Sequence, residues 1–501
     1  MIQDGRTRLR LFLPAVSIFL FALYEWLPSA STGLPTVLLL YAAVALLLYA
    51  WYEVAPRSLR RVLGTWRCSA PLAVAFHGAA LVTLLVLLPV RLSTLSSWFV
   101  AGRALDAGLM PYRDFLFRYP PLAVPFFWLP AHLAHTLAAY RVGFALEIVL
   151  CDLLCVGLEL WAVHRFVPRA SPWGILLAQP LWLLWAGRGV VLERFDMAAN
   201  ALLLLAIALL AARSHRWAWC VLGLGAVLKL YPALAVPFFA LVTWEQRTRR
   251  QCALDVSAFA LAVLAPTLIV VQGNLPVLSR FFSFQMGRGV EVETTFASVL
   301  MLGHVLTGSP LQHISGSGTE EVAAPLAPLL AGLSLPLTIL ALAALSLLAW
   351  RGRPIGQDAS ALFTWLVRLT LLALLLFIIL RNVLSPQYVL WLYPLIVLLE
   401  QRQATVWALY SATLLLGNWI YPTNWGAVTR FLPHAIALLA VRNALLVVLV
   451  LMLLAQRPHR VLTWAGSRRP LPGARPAQTE QGQAVHGGAV VTDRVRRGPG
   501  A

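Results

Sequence analysis

GRALDAGLMPYRDFLFRYPP, residues 102–121, decides how the fold is read, because it gathers charge, aromatic rings and prolines inside a chain that is otherwise almost wholly apolar. Two carboxylates, Asp106 and Asp114, and three arginines, Arg103, Arg113 and Arg118, fall within it, and Pro111 and the Pro120-Pro121 pair bracket a short ordered excursion. Apolar runs flank it on both sides. A polar excursion between such runs reads as a loop outside a lipid bilayer, and polar groups are where chemistry has to occur. A plain charged connector at the headgroup level would also carry charge, so this stretch alone does not separate an active-site loop from an ordinary one.

Outward from that loop, the 501 residues are 60% hydrophobic and 12% charged, with a mean hydropathy of +0.78, which excludes a water-soluble domain of this size. Apolar segments near membrane length begin close to Leu11, Leu34, Pro71, Pro121, Gly143, Pro172, Phe195, Trp217, Ala253, Pro325, Ala361, Pro386, Val406 and Leu432. The expected fold is all-α, a polytopic transmembrane helical bundle of about 12–14 membrane segments, some short or re-entrant, because only helices satisfy their own backbone in lipid. The first segment follows Arg6, Arg8 and Arg10 without a small-residue cleavage site, as expected of a retained helix.

A net charge of +19 would suit nucleic acid, but the arginines are distributed over short loops between apolar segments. That is the positive-inside pattern, and nucleic acid is set aside as a partner. Cys68, Cys151, Cys155, Cys220 and Cys252 all lie in or beside apolar segments, so neither a disulfide framework nor a zinc site is indicated. No metal or other cofactor is expected.

The basic clusters at the N-terminus, 57–67, 213–216, 247–250, 351–353, Arg402 and from Arg457 onward are assigned to the cytoplasm. Residues 102–121, the loop around Asp196, 272–322, 381–386 and 421–430 then face outward. Two exceptions to parity are informative. Residues 172–185 should enter the membrane without crossing it, and the long run 217–244 should break at Lys229-Leu230-Tyr231-Pro232 into two half-length helices. The expected organisation is two extension helices and a basic loop (1–70), a membrane core (71–455) and a disordered basic tail (456–501) held near anionic lipid.

Several polar groups stand out within the apolar frame. Lys229 is the only lysine among 39 lysines and arginines, and a cation buried in lipid costs on the order of 3 kcal/mol. It reads as a clamp on a lipid phosphate at the cytoplasmic half of the bilayer or deeper, or as a snorkelling side chain at a helix end. Asp196, in Glu193-Arg194-Phe195-Asp196, stands at an outward helix start, where a carboxylate serves either a site or a cap. Arg288, Glu291 and Glu293 form a further charged group. Arg381, Gln387 and Tyr388, with Trp391 beyond, combine the charge, hydrogen bonding and aromatic surface that suit a sugar phosphate.

Taken together, Pro111-Tyr112-Arg113-Asp114-Phe115, Tyr119-Pro120-Pro121, Arg194-Phe195-Asp196, Lys229-Leu230-Tyr231-Pro232, Arg288-Gly289 with Glu293, and Ser385-Pro386-Gln387-Tyr388 resemble glycosyltransferase family 87. These are bacterial polyprenyl-phosphate-mannose-dependent mannosyltransferases of the glycosyltransferase C superfamily. The resemblance runs over about residues 71–455 and implies a multi-pass enzyme of the plasma membrane, its site facing outward. It implies a polyprenyl-phosphate sugar donor, a glycolipid or cell-envelope glycan acceptor, and an acidic base in the first outward loop. Relatives often carry an aspartate upstream of the Pro-Tyr pair, where this chain reads Ser93-Thr94-Leu95-Ser96-Ser97-Trp98. Asp114 is therefore the preferred base, with Asp106, Asp196 and Glu293 in reserve. Arg113, Arg381 and Lys229 are expected to face phosphate, and Tyr112, Tyr231, Arg288, Glu293, Gln387 and Tyr388 to line the substrate site. A transporter or flippase of a lipid-linked saccharide, or a catalytically inactive relative, would share much of this pattern.

Overall fold

The computed structural model describes residues 66–87, 93–167, 174–316, 319–352, 358–399 and 404–455. All of them belong to one compact unit. The structure is 80% helical and, among the described residues, its strands form one hairpin, so the fold is all-α and polytopic. The expected segments near Leu11 and Leu34, and the tail 456–501, lie outside the described residues.

In chain order the principal helices are α1 (Trp66–Leu87), α2 (Ser93–Asp106), α3 (Val124–Leu133), α4 (Leu137–Phe166), α5 (Gln179–Ala186), α6 (Asp196–Ala211), α7 (His215–Leu228) and α8 (Val236–Gln246). They continue with α9 (Arg249–Val270), α10 (Ser279–Met286), α11 (Thr295–Thr307), the hairpin β1 (Gln312–Gly316) and β2 (Thr319–Ala323), α12 (Ala327–Arg351), α13 (Ala359–Leu380), α14 (Ala404–Asn418) and α15 (Pro433–Ala455). Local chemistry sets many of the ends. Thr136, Thr248, Thr294 and Asp358 each accept a backbone N–H of the first turn, at α4, α9, α11 and α13 respectively.

Five of these helices, α1 (through Ser69–Val86), α9, α12, α13 and α15, are long and apolar enough to cross a bilayer. The apolar window of α13 is 67% buried and those of α9 and α12 only 17%. α13 is thus a central post, while α9 and α12 turn residues such as Ile269 and Leu340 outward, which suits lipid rather than water. As expected of a bundle in which some segments are short, several apolar runs are shorter helices, including Pro121–Leu133, Gly174–Ala186, Asp196–Ala211 and Thr295–Thr307. Gly187 and Gly308 end two of them, whereas the other two stop at Ala134 and Ala212, just before the polar residues His135 and Arg213. Gly174–Ala186, a π turn leading into α5, rises only about 20 Å against a hydrocarbon core of about 30 Å.

The run from α7 to α8 breaks where the sequence places the break. Lys229 adopts an extended conformation (φ −151°, ψ 136°), and a 3₁₀ turn over Tyr231–Ala235 follows, opened by Pro232, which has no N–H to continue the α7 ladder. Deeper in the bundle, His77 of α1 lies 3.0 Å from Asp152 of α4, whose other oxygen accepts from the Tyr393 hydroxyl at 3.2 Å. His77 Nε2 is 3.0 Å from the Ile175 carbonyl in the π turn. One polar knot therefore ties four parts of the bundle.

At the α11 end, β2 pairs with residues 290–292 as well as with β1: Val322 N donates to Val290 O at 2.8 Å and Val292 N to Glu320 O at 2.9 Å. That small sheet is fastened to α15 by buried polar groups. Arg442 donates to Glu293 Oε2 at 2.9 Å, and Asn443 Nδ2 donates to the carbonyls of Glu293 and Thr294, each at 3.1 Å. Removing one member of a buried pair strands the other, so Arg442→Met should cost about 3–5 kcal/mol, read as earlier thermal unfolding of the detergent-purified protein. Adding Glu293→Gln should return most of the loss. An unshifted Arg442→Met melt would mean the pair holds nothing together.

Candidate active site

The cluster is best built from Trp391, the last residue of the 3₁₀ turn Pro386–Trp391. Tyr388 stacks on it with ring centroids 3.9 Å apart, and Tyr231 stacks on it at 4.1 Å and 12°. Its indole N–H donates to Asp196 Oδ1 at 2.5 Å, while the Lys229 ammonium lies 2.5 Å from Asp196 Oδ2. Lys229 also sits 4.7 Å from the Phe195 ring centroid and 5.9 Å from that of Trp391, within cation–π range. The Tyr231 hydroxyl donates to Asn200 Oδ1 at 2.5 Å, and Asn200 Nδ2 donates to Leu390 O at 2.9 Å. Asp196 and Asn200 stand one helical turn apart on α6, so one face of an otherwise apolar helix carries both.

Lys229 and Asp196 stand at the same end of the α6–α7 pair. α6 and α7 run back to back through a short turn, and the 14 residues of α7 rise about 21 Å, enough to return the chain to the Asp196 end. As the first residue of α6, Asp196 also faces the partial positive charge of the helix N-terminus. The extended Lys229 backbone is what lets its side chain leave the helix axis and meet that carboxylate.

More cations border the shelf. Arg194 lies 5.7 Å from the Trp98 ring centroid, and Trp98 packs on Tyr119, which itself contacts Phe195 at 5.2 Å. Arg288, paired with Glu291, lies within electrostatic reach of Tyr388 and Tyr119, and Arg381 within reach of Tyr388 and Arg288. Gln387 keeps its Oε1 buried without a hydrogen-bond partner among the described residues. Asp196, Lys229, Tyr231, Arg288, Arg381, Gln387 and Tyr388 thus converge from segments nearly two hundred positions apart.

Residues 102–121 contribute differently. Tyr112 is fully buried in the left-handed region (φ 68°), and its hydroxyl donates to Tyr119 O at 2.6 Å, so it braces the loop under Tyr119. Arg113 and Asp114 are exposed. The Arg113 guanidinium donates twice to the Asp114 carboxylate at 2.8 Å, Met110 N donates at 2.7 Å, and these bonds hold the carboxyl down at about 2. Arg280 of α10 donates to the Arg113 and Tyr112 carbonyls at 2.6 and 3.2 Å. Asp106 binds His132 and Trp128, each at 2.9 Å, and Arg103 at 2.8 Å; the His132 bond chiefly lowers its carboxyl. Glu293 is committed to Arg442. Neither loop aspartate, nor Arg113, nor Glu293 makes a direct contact with the Trp391 cluster.

A multi-pass helical bundle with a buried ion pair, stacked aromatics and a rim of arginines is the class of protein these features define. A model of glycosyltransferase family 87 matches residues 117–377, just over half of the chain. The chain belongs to that family, and membership makes it a membrane glycosyltransferase. The match is narrower than the span suggested by motif resemblance: it takes in Tyr119, Asp196, Lys229, Tyr231 and Arg288, and leaves out Asp106, Asp114, Tyr388 and Trp391. No curated protein matches the chain.

Sequence reading passed over Asn200, Asn382 and Arg442. The first and last had signals: Asn200 is a polar residue one turn beyond Asp196, and Arg442 is the one charged residue in α15, the same anomaly that exposes Lys229. Asn382 had none, since its role lies in partners far along the chain.

Two outcomes follow. Asp196→Asn keeps the shape but strands a buried ammonium, so a stability loss of about 3 kcal/mol is expected in chemical denaturation, largely relieved in Asp196→Asn/Lys229→Met. Because the Asp114 carboxyl sits at about 2, it stays ionised throughout the neutral range. Asp114→Asn should therefore leave the midpoint of the acid limb of the pH–rate profile where it is, and a displaced midpoint would contradict this account.

Proposed function

We propose that this glycosyltransferase moves a hexose, mannose by family resemblance, from a polyprenyl-phosphate donor to a glycolipid or cell-envelope glycan acceptor on the outer face of the plasma membrane. The observation that carries the reading is the meeting of Lys229, Asp196 and Trp391. A buried ammonium beside stacked aromatics, rimmed by Arg194, Arg288 and Arg381, suits a ligand with a phosphate and a sugar ring. Gln387 Oε1, lacking a partner among the described residues, offers a hydrogen bond to a sugar hydroxyl.

In the proposed step the acceptor hydroxyl oxygen attacks the anomeric carbon while the bond to the donor phosphate oxygen breaks and its electron pair leaves with the lipid phosphate. The cations stabilise the charge that develops there. The acceptor proton passes to a carboxylate, and Asp196 is the favoured acceptor because it alone of the four candidates sits inside the cluster. Neither loop aspartate touches the cluster, and Asp114, held near 2, has little driving force as a base at neutral pH. A single displacement inverts the anomeric centre, so a β-linked donor yields an α-linked product.

The test is transfer of radiolabelled mannose from synthetic polyprenyl-phosphate-mannose to a lipid extract by the purified protein. Asp196→Asn should lower kcat by about 10²–10⁴-fold, the usual worth of general-base catalysis, while Asp114→Asn keeps most activity. The reverse pattern would return the base to the first loop. Donor binding without transfer to any acceptor would favour a transporter, a flippase or an inactive relative.

A further inference from the structure

Arg288 belongs to no helix, lying in the link between α10 and α11, yet its side chain is only 13% exposed. Two residues hold it there. One oxygen of Glu291 accepts from the Arg288 guanidinium, and the other accepts from Leu384 N at 3.1 Å. Asn382 Nδ2 donates to Arg288 O at 2.7 Å and to Gly289 O at 2.9 Å, while Glu291 N donates to Asn382 O at 2.9 Å. Ser334 of α12 fixes Asn382 in turn, donating to its Oδ1 at 3.1 Å and accepting from its N at 2.9 Å. Leu384 opens the strand of chain that becomes the turn bearing Tyr388 and Trp391. The same carboxylate therefore grips a rim cation with one oxygen and the backbone of the aromatic shelf with the other.

We infer that Glu291 is the positioning residue of this site, locking Arg288 to the 384–388 backbone so that cation and aromatic shelf meet the donor phosphate in one geometry. The inference rests on the donor site proposed above. An arginine on an unbraced loop would have to be ordered each time donor binds, and bracing it beforehand removes that cost.

The lock is sensitive to protonation. Glu291 faces Arg288 and Tyr388 on the site side, and Glu293 and Glu321 behind it. Burial lifts its carboxyl to about 7 despite the pull of Arg288. Above that pH the group is anionic and holds the guanidinium; as pH falls through about 7 it takes a proton and the ionic grip is lost. Donor KM should rise on the acid side, while kcat, set by groups inside the cluster, should change much less.

The experiment measures donor KM and kcat against pH for purified wild type, Glu291→Gln, Glu291→Asp and Arg288→Ala, with polyprenyl-phosphate-mannose as donor. Wild type should lose about ten- to a hundredfold in donor affinity across the transition, the scale of a small misplacement of a binding group. Glu291→Gln, which cannot titrate, should show the weakened KM at every pH with kcat nearly kept. A Glu291→Gln enzyme with wild-type KM and wild-type pH dependence would overturn the inference. If that variant does not fold, Glu291→Asp decides: a raised KM that still titrates supports the lock, and an unchanged KM overturns it. Arg288→Ala separates the two levels of argument. Unchanged donor binding there would remove Arg288 from the donor site and the inference with it, whereas binding lost in Arg288→Ala but normal in Glu291→Gln would overturn the inference alone.

Discussion

The contact between the Lys229 ammonium and the Asp196 carboxylate is the constraint on which the rest of the site depends. Neither charge is tolerable by itself among apolar helices, so each requires the other, and their meeting dictates backbone as well as side chain. α7 must end at Leu228 for Lys229 to turn aside, and α6 must begin at Asp196 for the carboxylate to stand at a helix N-terminus. Trp391 then closes over the pair, donating to the one carboxylate oxygen that the lysine leaves. Replacing such a pair with apolar side chains is often neutral or stabilising, so stability alone does not explain its presence.

Around that pair the protein uses two kinds of rigidity. Inside the bundle, polar knots such as His77–Asp152–Tyr393 tie helices whose apolar surfaces alone would leave rotation free. At the α11 end, where chain leaves the helices, backbone hydrogen bonds to Asn382, the β2 pairing and the Arg442–Glu293 pair make a small hub from loop residues. The shelf stands between the two. Its stacked tyrosines come one from each flank, Tyr231 from the α7–α8 break and Tyr388 from the chain held by Glu291.

Residues 102–121 show how a strong sequence signal can be displaced by local chemistry. Asp114 stands in the most polar stretch of the chain, but its own neighbour Arg113 and the Met110 amide satisfy its oxygens. Asp106 is drawn the same way to Trp128 and His132 across α2 and α3. Asp196 has no such local partners, and its contacts are supplied by Lys229 and Trp391 from other parts of the chain.

Composition and periodicity by themselves determined that the chain is an all-α membrane protein, where its helix run 217–244 breaks, and that Lys229 is anomalous, because the cost of charge and of unsatisfied backbone in lipid is local and readable residue by residue. The order of short motifs also determined the family. Only the tertiary structure decided which carboxylate stands by the lysine, that Trp391 bridges Asp196 and two tyrosines, and that Glu291 and Asn382 hold Arg288. Those facts are distances between residues far apart in sequence, set by how helices of fixed rise pack back on one another.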